Sequence, residues 1–101
     1  MEQETKTSQG SQEPVLSNGV NKKLLQLTIA RANGPLFDGE VARVTVPGAS
    51  GEMTLLAGHE PLISPLKAGI ILIARENGDE ESFTIENGML EVSNNQATVL
   101  I

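Results

Sequence analysis

The stretch Gly69-Ile70-Ile71-Leu72-Ile73-Ala74-Arg75-Glu76-Asn77-Gly78-Asp79-Glu80-Glu81-Ser82-Phe83-Thr84-Ile85-Glu86 decides how this chain folds. A run of aliphatic residues precedes Asn-Gly, and an alternating apolar and polar run follows it. Branched and aromatic side chains suit a pleated strand. Asn-Gly is the strongest short hairpin signal, with Asn77 expected to supply the left-handed backbone of a two-residue turn. The spacing therefore predicts strands near 69–76 and 81–86, paired antiparallel. Ile70, Leu72 and Ala74 share one face of the first strand, and Ile71 and Ile73 share the other. Both faces are expected to be covered, by a second sheet and a corner of a closed sandwich or by another protein. Leu62, Ile63 and Leu66, just upstream, add further apolar surface.

Moving outward from this hairpin, the same period of two recurs in Leu25/Leu27/Ile29, Ala42/Val44/Val46, Leu90/Val92 and Ala97/Val99/Ile101. Turn signals separate these runs: Asn33-Gly34-Pro35, Asp38-Gly39, Pro47-Gly48-Ala49-Ser50-Gly51, Ala57-Gly58, Lys67-Ala68-Gly69, Asn87-Gly88 and Ser93-Asn94-Asn95. No interval between them has room for an ordinary helix. The expected fold is all-β, an antiparallel sandwich or flattened barrel of about eight to ten short strands. Residues 24–101 form its one domain. Residues 1–23 are rich in Gln, Ser, Glu and Asn and are expected to be a disordered polar tail, because they cannot bury enough surface to offset the entropy of ordering. They lack the apolar core of a signal peptide and the arginines of a transit sequence.

Composition excludes several functions. With 101 residues, and Phe37 and Phe83 as its only aromatics, the chain supports a modest aliphatic core, which favours stabilisation by partners. It has no cysteine, so disulfide frameworks and thiolate metal sites are ruled out. A net charge of −6 with seven Lys and Arg argues against nucleic acid, whose binding needs a basic stripe. The longest apolar run, Ile70 to Ala74, is far shorter than the roughly 20 residues of a membrane helix. One histidine without cysteine makes a poor metal centre. The serines lack a nucleophile elbow, and the glycines lack the strand-to-helix phosphate loop. No catalytic residue, metal ligand or cofactor is expected. A stand-alone ligand-binding barrel of cupin or jelly-roll type would need more inward polar groups, and an oligonucleotide-binding barrel would need basic and aromatic residues interleaved on one face.

The remaining distinctive segment is Gly51-Glu52-Met53-Thr54-Leu55-Leu56-Ala57-Gly58-His59-Glu60-Pro61-Leu62-Ile63, which sets the only histidine in a Gly- and Pro-punctuated corner. Together with Phe37-Asp38-Gly39, Lys67-Ala68-Gly69 and Asn87-Gly88-Met89-Leu90-Glu91-Val92, in this order and spacing, it resembles the amino-terminal β-sandwich of the epsilon subunit of F-type ATP synthases, called delta in mitochondria. The likeness runs from Leu27 to Ile101. Thr54 stands where that family often has Gly, and Ala57 where Pro is frequent. The resemblance implies a non-catalytic rotor part that links the gamma subunit to the polar loops of the c ring. On that basis Glu52 and His59 are expected at the c ring, and Pro61, Leu62, Ile63 and Ser64 against gamma. It also implies peripheral attachment to the cytoplasmic side of a bacterial membrane through the complex. The family commonly continues into two helices that can inhibit the catalytic head or bind ATP. A chain ending at Ile101 is expected to couple and assemble without them.

Overall fold

The computed structural model describes residues 24–101. The tail expected over 1–23 lies outside the described residues. Nine strands follow one another: β1 (Leu25–Arg31), β2 (Gly34–Val41), β3 (Arg43–Gly48), β4 (Gly51–Leu56), β5 (Leu62–Leu66), β6 (Gly69–Ala74), β7 (Glu80–Ile85), β8 (Gly88–Ser93) and β9 (Gln96–Leu100). Among the described residues there is no helix. The all-β expectation holds, because short alternating runs between Gly and Pro turns leave the backbone only ladders in which to satisfy its hydrogen bonds.

Hydrogen bonding orders the strands β2-β1-β9-β8-β5-β3-β6-β7, with β4 on the far side of β3. The sheet curls into two arms. The first is β2-β1-β9-β8-β5 and the second is β4-β3-β6-β7. They meet where Gly48 pairs with Leu66, the one residue pair joining β3 to β5. Most pairs are antiparallel, but β1 lies parallel to β9. Alternation cannot reveal that pairing, since a strand's side-chain period is the same in both directions.

Both arms turn their buried faces to a common core. Leu25, Leu27, Ile29, Leu90, Val92, Ala97 and Val99 come from the first arm, and Val44, Val46, Leu55, Ile71, Ile73 and Ile85 from the second. Each fully buried aliphatic side chain contributes about 1.5–3 kcal/mol relative to exposure. No polar or charged side chain is buried among the described residues. The open side between the terminal strands β2 and β7 is closed by side chains. Phe37 and Phe83 meet edge to face with centroids 6.4 Å apart, and the Arg75 guanidinium lies 4.9 Å from the Phe37 ring centre. Arg75 also donates to Glu81 Oε2 through Nε at 2.9 Å.

Two details of the hairpin differ from expectation. The strands β6 and β7 pair antiparallel as expected, with Ala74 opposite Glu80. The connection is longer than two residues, because Arg75 N–H donates to the Asp79 carbonyl and Gly78 N–H to the Arg75 carbonyl. Gly78 takes the positive φ of 95°, not Asn77. This is a three-residue loop in which glycine carries the left-handed position. Asn77 instead accepts from the Asp79 backbone through its side chain. The second difference concerns coverage. Ile71 and Ile73 are buried, whereas Ile70 and Leu72 are 58% and 41% exposed. Among the described residues, the face of β6 that carries Ile70 and Leu72 is covered only at Ala74.

Candidate functional site

Register places every connection at one of two ends of the sandwich. Residues 57–61, the β8–β9 turn at Asn94 and Asn95, the β6–β7 loop and the start of β1 share the corner end. The β3–β4 turn at Ala49 and Ser50, Lys67-Ala68, Glu86-Asn87 and Ile101 share the opposite, hairpin end. Strand β4 runs from the hairpin end to the corner end.

Glu52 and His59 lie at opposite ends of that strand. Glu52 pairs with Pro47 beside the hairpin and is exposed. His59 follows β4 in a turn closed by its own N–H donating to the Leu56 carbonyl at 3.1 Å. Gly58 precedes it with φ 80°, the position at which a type II turn calls for glycine. From Glu52 to Leu56 the strand advances about 13 Å at 3.3 Å per residue. The two residues, near each other in sequence, are held apart in space by the length of that strand. A partner touching both would have to span the whole of β4. His59 is half-buried, and its Nδ1 lies 2.8 Å from the Glu60 carbonyl oxygen. In the neutral ring Nδ1–H is the donor in that bond, leaving Nε2 as an acceptor.

The segment expected against gamma divides by pleat. Pro61 and Ile63 are exposed, and Ile63 at 72% is the most exposed large apolar residue of the described chain. Leu62 packs against the core, and Ser64 is half-buried, opposite the buried Leu90. Within β5, Ile63 points outward and Leu62 and Ser64 point the other way, because alternate side chains of a strand face opposite sides.

Ile63 is instead part of a surface that crosses the first arm. Pro65 lies opposite Met89, Met89 opposite Leu100, Leu100 beside Ala30, and Ala30 opposite Pro35. Met89 and Leu100 are 44% and 56% exposed. One apolar row thus crosses five strands, about 19 Å at 4.8 Å per strand spacing. The neighbouring row is Ile63, Glu91, Thr98, Thr28 and Asp38, and it is polar apart from Ile63. Sequence reasoning missed this row because each member stands alone in its own strand. Its signal is the match of outward positions across the ladder.

Little here resembles a reaction centre. Among the described residues no three His, Cys, Asp or Glu groups converge as metal ligands. Two recesses among the described residues are open surface features, one beside Arg31, Glu86 and Ile101 and the other beside Glu40, Arg75 and Glu76. Among the described residues the interior is apolar, aliphatic apart from Phe37 and Phe83. A ligand barrel requires convergent inward polar groups, and this core has none among the described residues. What the geometry offers is a sandwich with one shared apolar core and an exposed apolar row across one arm.

Comparison with known proteins places that sandwich in a family. The family described as ATP synthase, Delta/Epsilon chain, beta-sandwich domain matches residues 24–101, and the chain belongs to it. A curated relative, the ATP synthase epsilon chain of Bordetella petrii, is 42% identical over 76 residues. That match covers 75% of this chain and 54% of the relative, so the chain spans about half the length of the curated relative it matches. Among solved structures, the Euglena gracilis mitochondrial ATP synthase, determined as OSCP/F1/c-ring, contains a chain similar at TM-score 0.75 and 26% identity, over 89% of this chain and 57% of that one. A chain of the Tetrahymena thermophila mitochondrial ATP synthase central stalk and c-ring is similar at TM-score 0.62 and 17% identity, covering 80% and 65%. The second likeness is one of fold.

Proposed function

We propose that this protein is a non-catalytic rotor part of a proton-translocating F-type ATP synthase, joining the gamma subunit to the c ring. The observation that carries the proposal is the family match across residues 24–101, reinforced by an apolar row on the outer face of the first arm. An exposed row of this kind suits a permanent partner, because burial of apolar surface drives association. We assign the gamma subunit to that face, with Pro61 and Ile63 at its corner margin and Met89 and Leu100 across it. His59 joins the same contact, since one residue, Glu60, separates it from Pro61 and the length of β4 separates it from Glu52. Leu62 and Ser64 support the contact from within. Glu52 we assign to the polar loops of the c ring, at the hairpin end. In this reading the complex holds the protein peripherally at a bacterial cytoplasmic membrane, on the cytoplasmic side.

The mechanism is mechanical. Close-packed interiors deform little, so torque applied at one surface reaches the other without being lost in bending. The core shared by both arms supports this use of the sandwich, as does the aromatic closure between β2 and β7. Co-expression with a bacterial gamma subunit, followed by size-exclusion chromatography, tests the reading. The expected result is a single co-eluting peak at micromolar concentration, and two separate peaks would overturn it.

A further inference from the structure

The β8–β9 connection contains a residue whose side chain does more than the turn requires. Ser93 pairs with Gln96, leaving Asn94 and Asn95 as a two-residue loop with φ of 51° and 60°. Positive φ at both central positions is the signature of a type I′ turn, and glycine is the favoured occupant of the second. Asn95 occupies it here, and its amide reaches two remote segments. Gly58 N–H donates to Asn95 Oδ1 at 2.8 Å, and Asn95 Nδ2 donates to the Leu24 carbonyl at 2.9 Å. Those partners fix the amide orientation, because a flipped group would set donor against donor and acceptor against acceptor.

The corner it grips has few bonds of its own. The Leu56–His59 turn bond and the His59 contact with Glu60 are both local. The Asn95 bond ties Gly58 to a residue 37 positions away in the chain. We propose that Asn95 is a positioning residue for the docking corner, holding residues 57–61 in the shape that presents His59 and Pro61 and fastening that corner to the start of β1. A loop held in its bound shape avoids the ordering cost of association, and the effect appears mainly in the dissociation rate. This inference rests on the proposed gamma contact.

Asn95→Gly separates the two roles of the residue. Glycine relieves the left-handed backbone, so a residue serving only the turn would leave the protein equally or more stable. A positioning residue would instead loosen a distant amide. The test measures hydrogen exchange at Gly58 in the isolated chain and the dissociation rate of its complex with a bacterial gamma subunit. In Asn95→Gly, Gly58 exchange is expected to quicken by about five- to tenfold, the loss of one hydrogen bond, and dissociation of the gamma complex to quicken several-fold. Asn95→Asp keeps the acceptor and is expected to restore Gly58 protection. Unchanged Gly58 exchange in Asn95→Gly would overturn the proposal, as would faster exchange with unchanged dissociation. Failure of the unaltered chain to bind gamma would overturn the gamma reading and the docking half of this inference with it, whereas the exchange result decides the Asn95–Gly58 contact independently.

Discussion

Replacing Gly48 by alanine should open the β3–β4 hairpin at the point where the two arms of the sandwich meet. Gly48 is where β3 meets β5, and it also faces Gly51 across the β3–β4 hairpin. A Cβ added there would lie 2.6 Å from the Gly51 carbonyl oxygen and 2.9 Å from Met53 Cε. The methionine can move aside, but the carbonyl belongs to the backbone, so the hairpin pair itself must open. Gly48 is not among the glycines with positive φ, so the penalty is steric and not conformational. Overpacking of this kind costs about 1–3 kcal/mol. At about 4–8 °C per kcal/mol for a domain of this size, Tm should fall by roughly 5–20 °C. Gly39→Ala is the matched control, because its Cβ would meet only the Phe37 ring, at 3.9 Å. It should change stability by no more than about 0.5 kcal/mol. Thermal melts followed by circular dichroism decide the matter. A Gly48→Ala melt within two or three degrees of Gly39→Ala, on the order of the surface-substitution range, would refute the reasoning.

Two other substitutions separate docking from stability. Ile63→Asp alters a side chain that is 72% exposed, so Tm should hold within a few degrees while affinity for gamma, measured by titration calorimetry, falls at least about tenfold, the scale of a truncated anchor residue. Arg75→Ala removes the stacking on Phe37 and the pairing with Glu81. Because both partners of the ion pair are more than a third exposed, the combined loss should be about 1 kcal/mol, visible as a Tm lower by roughly 4–8 °C with gamma binding retained.

The alternation of Leu25, Leu27 and Ile29 and of Val44 and Val46 predicts their burial correctly, because a half-buried strand can satisfy its pattern in one register only. The β6–β7 pairing was legible for a similar reason, since Asn77-Gly78 sits between two strand-forming runs. The turn type was not. A two-residue and a three-residue loop share the same dipeptide, and the bond from Arg75 to Asp79 decides between them. Nor was the junction at Gly48 legible, because it joins segments whose meeting depends on how the whole sheet curls. The row of Pro65, Met89 and Leu100 shows the same gap between local and long-range information: singly they look like ordinary exposed apolar residues, and only register aligns them. The separation of Glu52 from His59 could have been found by counting, because an extended strand between them keeps its ends apart.

The claim at the centre of this account is that gamma and the c ring hold the sandwich at different places. The chain has no cysteine, so an introduced one is its only thiol. Assembling Ile63→Cys and Glu52→Cys chains separately with gamma and a c ring, and then applying a short thiol-directed crosslinker, reads both contacts directly. Ile63→Cys is predicted to link to gamma alone and Glu52→Cys to the c ring alone. Linkage of both positions to the same subunit, or of each to the other's assigned partner, would contradict the account.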